Sequence, residues 1–80
     1  MLLEYVDLAM RKAHYEILAD DGKYYGEIAC CPGVYSTAET LEACRSELRE
    51  VLEEWILVRV SRGLRLPTID GVRLAVKKVA

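Results

Sequence analysis

The chain has no long apolar run, no cysteine pairs at metal-binding spacing, no glycine-rich loop and a single histidine. Each absence removes a class of function. A bilayer span needs about 20 consecutive apolar residues, and no such run exists, so no membrane partner is expected. The first residues, MLLEYVDLAMRKAHYE, place Glu4 and Asp7 where a secretory signal has a basic start and an unbroken apolar core. A cytoplasmic location is the resulting expectation. Cys30, Cys31 and Cys44 lack C-x-x-C pairing and neighbouring histidines, and adjacent thiols are poorly placed to bridge each other. They read as small buried hydrophobes. No His, Lys or Arg lies between residues 24 and 44 to depress a thiol pKa. The five glycines are scattered singly, which excludes a phosphate-cradling loop.

Catalytic groups are equally sparse. His14 falls on a strand-like stretch with no Ser or Cys near it, which makes a hydrogen-bonded or exposed histidine the simpler reading. Asp20 and Asp21 belong to a turn and read as solvated rather than metal-binding. Glu39, Glu42, Glu47, Glu50, Glu53 and Glu54 form the solvated face of a helix. No nucleophile, base and orienting group can be assembled. The protein is therefore expected to be non-enzymatic, with no cofactor and no metal.

What is present is an ordinary globular composition: 80 residues, 52% hydrophobic and 30% charged, read as a single domain over 1–80. A domain of this size buries only about 60 to 65% of its unfolded surface, so association would help it. Charge is uneven. Residues 1–58 hold 5 basic and 12 acidic side chains, and residues 59–80 hold 6 and 1. The basic set, Arg59, Arg62, Arg65, Arg73, Lys77 and Lys78, is the alternative candidate for nucleic-acid contact, although Arg59, Arg62 and Arg65 also fall at a helix end, where cations favour the dipole.

Periodicity organises the rest. Leu3, Val6, Met10 and Ala13 step by 3, 4 and 3, which predicts a short amphipathic helix over 2–13. In HYEILAD, Tyr15, Ile17 and Ala19 alternate with His14, Glu16 and Leu18 as in a strand, and DDGK supplies an Asp-Gly step that favours a tight hairpin. YYGEIAC is the partner strand, with Gly26 marking a bulge or a close backbone approach. Pro32 and Gly33 turn the chain into a third strand, VYST. From Thr40, the natural N-cap, Leu41, Cys44, Leu48, Val51, Trp55 and Val58 predict a long helix that ends at Gly63. Trp55, Ile56, Leu57 and Val58 point in four directions, more than one packing face uses, and mark a candidate homo-oligomer interface, dimer or tetramer. Beyond Pro67, VRLAVKKV alternates as a last strand. The class is α+β: helix, three-stranded antiparallel meander, long helix, final strand.

The stretch DGKYYGEIACCPGVYSTAETLEAC resembles the HicB family of bacterial antitoxins and its single-domain, uncharacterised relatives, and the resemblance extends over about residues 14–71. Asp21, Gly22, Tyr24, Pro32, Gly33, Ser36, Thr40, Leu41 and Glu42 match the family pattern, while Cys31, Ala38 and Ala43 stand where it usually has Leu, Gly and Glu. The resemblance implies a β-β-β-α-β core like a reduced ribonuclease H domain without its carboxylates, here with an added N-terminal helix and no separate DNA-binding domain. It further implies a non-catalytic antitoxin that binds and neutralises a small, mRNA-cleaving, HicA-like toxin of a type II toxin–antitoxin system. An orphan oligomeric domain, or a nucleic-acid binder using the basic C-terminal segment, is the alternative expectation.

Overall fold

The computed structural model describes residues 2–71 of the chain. Helix α1 (Leu2–Arg11) leads into strands β1 (Ala13–Ile17), β2 (Tyr24–Ile28) and β3 (Tyr35–Ala38), and helix α2 (Leu41–Ser61) follows. The strands form an antiparallel meander in the order β1-β2-β3. The expected α+β order is thus observed, while the expected last strand, with Arg73, Lys77 and Lys78, lies outside the described residues.

The sheet register explains which face is buried. Tyr15 pairs with Gly26 and Gly26 with Ser36, so this row shares one face, because side chains alternate along a strand. α2 lies against that face over β2 and β3. The Ser36 hydroxyl, buried, donates to the Cys44 carbonyl at 2.8 Å and so ties β3 to the first turn of α2. Ile17 has the parity of the inner face yet is 63% exposed, since α2 does not extend over this end of β1.

Both turns use their glycines for backbone reasons. Leu18 N–H bonds to Lys23 O at 2.8 Å and Gly22 N–H to Leu18 O at 2.9 Å, which closes a four-residue loop, Ala19 to Gly22, in place of the tight two-residue hairpin expected from Asp-Gly. Gly22 takes φ 72, and the Asp21 carboxylate accepts from Lys23 N–H at 3.0 Å. At the corner, Val34 N–H bonds to Cys31 O at 3.1 Å around Pro32 and Gly33, with Gly33 at φ 94. Proline followed by a positive-φ glycine is the signature of a type II turn.

The helices bury different stripes from those expected. In α1 the enclosed residues are Tyr5, Val6, Ala9 and Met10, whereas Leu3 is 68% exposed and Ala13 belongs to β1. The helix ends at Arg11, and Tyr5 is buried because its hydroxyl finds a partner, donating to Pro67 O at 2.6 Å. In α2 the enclosed residues are Cys44, Leu48, Leu52 and Ile56, while Leu41 and Val58 are exposed. A seam of steps of four follows the ridge by which a helix packs across neighbours, in contrast to the 3.5-residue seam of a coiled coil.

Both ends of α2 are capped as the sequence predicts. The Thr40 hydroxyl accepts from Ala43 N–H at 3.1 Å. At the other end Leu64 N–H bonds to Arg59 O at 2.8 Å and Gly63 N–H to Val60 O at 3.1 Å, with Gly63 at φ 68, the Schellman arrangement. Two ion pairs tie this end of the chain to its surroundings: Asp7 of α1 with Arg49 at 3.4 Å, and Lys12, just past α1, with Asp70 at 2.9 Å. Exposed as they are, these pairs orient more than they stabilise.

Candidate protein-binding face

The motif residues divide into builders of the fold and occupants of its surface. Asp21 and Gly22 form the hairpin loop, Pro32 and Gly33 the corner, Ser36 the strand-to-helix tie, and Thr40 the cap. Tyr24 opens β2 on the inner face, half-buried. None of these side chains gathers into a pocket with acid, base and nucleophile. Among the described residues no group of His, Cys, Asp or Glu has the arrangement of a metal site.

The C-terminal candidates separate similarly. Ile56 is enclosed in the chain's own core, and Trp55 is half-buried with its indole N–H on Pro32 O at 3.1 Å, so the candidate oligomer surface reduces to Leu57 and Val58, 68% and 47% exposed. Arg59 stacks its guanidinium 4.9 Å over the Trp55 ring and donates from Nε and Nη2 to Arg65 O at 2.9 and 2.6 Å. It fastens the chain after α2 and is engaged in the fold, while Arg62 and Arg65 are exposed.

Beneath the corner, Cys31 and Tyr5 are fully buried and Cys30 partly so. Burial pushes the Tyr5 phenol up to about 12, and burial followed by the neighbouring Cys30 thiol pushes Cys31 up to about 12. A neutral, enclosed thiol is a packing group and not a nucleophile. Both groups bind their protons more tightly in the fold than in the unfolded chain, where the thiol titrates near 9.0 and the phenol near 10.0. The stability they confer is whole below about pH 9 and is lost as pH rises towards about 12, at no more than about 1.4 kcal/mol per pH unit and group. Urea midpoints measured from about pH 8 to about pH 11 should therefore fall, and the Tyr5→Phe/Cys31→Ala double variant should show a flatter profile. An unchanged slope would place the alkaline sensitivity elsewhere.

The opposite face of the sheet carries the exposed chemistry. By parity it presents His14, Glu16, Tyr25, Glu27, Tyr35 and Thr37, with Glu16 across from Tyr25 and His14 across from Glu27. Tyr25 and Tyr35 stack diagonally across β2 and β3, ring centres 6.3 Å apart and planes at 26°. Burial and then the Glu27 carboxylate raise the Tyr25 phenol above its ordinary value. Two stacked tyrosines bordered by acids on an exposed sheet face have the chemistry of a candidate docking surface for a protein. Tyr25 and Glu27 share this face by the alternation of β2, and Tyr35 joins them through the register of β3.

Residues 4–67, which include the corner, the cap and the meander, match the UPF0150-like family. The chain belongs to the UPF0150-like family. Among solved structures, this family member is similar to TTHA0281 from Thermus thermophilus, with 40% identity and a TM-score of 0.90 over 96% of this chain and 95% of that one. No curated protein matches the sequence. In this UPF0150-like chain no helix among the described residues is long and apolar enough to cross a membrane.

Proposed function

We propose that this UPF0150-like chain is a HicB-like antitoxin domain, which binds and neutralises a small mRNA-cleaving toxin and performs no catalysis itself. The observation that carries the reading is the outer sheet face, where the Tyr25 and Tyr35 pair lies bordered by Glu16 and Glu27. A protein that cleaves mRNA must hold phosphates with lysines and arginines. An acidic surface complements such a partner and speeds its capture, while stacked tyrosines supply the apolar anchor that holds it. The Pro32-Gly33 corner and the Thr40 cap, among the residues on which the HicB resemblance rests, belong to the scaffold that carries this face. A toxin that acts on messenger RNA would be met in the cytoplasm.

Co-expression with any toxin-sized open reading frame found beside the gene is the test. A hetero-complex should co-purify and weaken with added salt. Tyr35→Ala and Glu27→Lys should each lower its affinity by about tenfold or more while leaving the thermal midpoint of the free protein within a few degrees. Failure to co-purify, or full binding by both variants, would overturn the reading.

A further inference from the structure

The outer stripe at the end of α2 is self-complementary. At 1.5 Å and 100° per residue, positions four apart lie on one stripe, so Val58 has Glu54 one turn before it and Arg62 one turn after. Val58 is 47% exposed, Leu57 beside it is 68% exposed, and Glu54 and Arg62 are both exposed, with no ion pair between either and another described residue. α2 also outruns the sheet: its 21 residues span about 31 Å against about 17 Å for a five-residue strand. The far turns are therefore left with an apolar patch, Leu57 and Val58, that has Glu50, Glu53 and Glu54 on its N-terminal side and Arg62 on its C-terminal side.

We infer that this stripe is the contact between two copies of the chain, with their α2 helices antiparallel and a two-fold axis passing at Val58. Reversing the direction of one helix brings Glu54 of each copy beside Arg62 of the other, while Val58 meets Val58 and the two Leu57 side chains fall on one flank of the seam. An isologous interface requires this property, that one patch complements itself. A parallel pairing would oppose Glu54 to Glu54 and Arg62 to Arg62, so the charges select the antiparallel arrangement. The inference is independent of the antitoxin reading, whose surface is the opposite face of the sheet.

Sedimentation equilibrium on the full chain tests it. The natural protein should be dimeric, and Glu54→Arg and Arg62→Glu should each weaken self-association by at least about tenfold, because each places like charges opposite one another twice. An equimolar mixture of the two variants should recover the dimer, since each then meets its opposite, and so should the double variant Glu54→Arg/Arg62→Glu. Circular dichroism of each variant establishes that the fold is retained. A monomeric natural chain overturns the inference. So does a dimer indifferent to both reversals.

Discussion

Leu48→Ala is expected to lower the unfolding free energy by about 3 to 4 kcal/mol, the largest loss for a single truncation in this chain. Leu48 is fully enclosed at the middle of the buried seam of α2, among Leu52, Ile56, Ile28 and Val34 in the core cluster. Removing its branched end forfeits both its transfer from water and its packing, because a helix held at both ends by caps cannot settle into the space. For 80 residues the whole stability is about 4 to 12 kcal/mol, so the variant should be partly unfolded on mild warming. Urea titration with an unchanged slope is the measurement. Leu57→Ala, measured in dilute solution, is the control and should change stability by less than about 0.5 kcal/mol, since its side chain is exposed in the single chain. A larger loss at Val58 than at Leu48 would restore the 3.5-residue seam and refute the packing described above.

Gly26→Val should cost about 3 kcal/mol, and Gly26→Ala should also destabilise, which is the more telling result. A glycine inside a strand is ordinarily a weakness, and its replacement by alanine gains about 0.5 to 1 kcal/mol when space allows. Here space does not allow it. A Cβ at this position would lie 2.8 Å from Cδ1 and Cε1 of Tyr15 and 3.2 Å from the Cys44 sulfur. The Tyr15 ring lies over the glycine across the strand pair, and the Ser36 hydroxyl holds the Cys44 backbone at 2.8 Å, so helix and ring close on β2 from two sides. Combining Gly26→Ala with Tyr15→Ala should recover part of the loss through relief of the ring clash, a coupling read directly from a double-mutant cycle. A stabilised Gly26→Ala single variant would show that the sheet and helix have room to separate.

These two positions also show how far the amino-acid order could be read. Gly26 is legible as either a bulge or a close approach, because a lone glycine in an otherwise strand-forming run has few other uses, and the unbroken pairing of Tyr15 with Gly26 and of Gly26 with Ser36 selects the second. Which atoms approached was not legible, since Tyr15 and Cys44 are brought there by the register of β1 and by the descent of α2 from Ser36. Leu48 is legible as core, yet the spacing sets Val51, Trp55 and Val58 on its seam and leaves out Leu52 and Ile56, which the fold encloses. A run as apolar as WILV satisfies several periodicities at once, and only the element packed against it selects one. The tyrosine face was the least legible feature. Tyr25 and Tyr35 are ten positions apart, and nothing local states that the corner from Cys31 to Val34 returns the second beside the first.

What the sequence alone determined is everything carried by short-range chemistry: the α+β order, the Pro32-Gly33 corner, the Thr40 cap and the Gly63 stop. Each depends on the φ preference, donor inventory or capping oxygen of one or two residues, which any neighbouring chain leaves unchanged. The tertiary structure alone decided which stripe of each helix is buried, that Arg59 is engaged by Trp55 and the Arg65 carbonyl, and that one side of the sheet gathers tyrosines and acids. Those outcomes rest on pairing between distant residues, and a strand displaced by a single position would turn every one of its side chains to the other face.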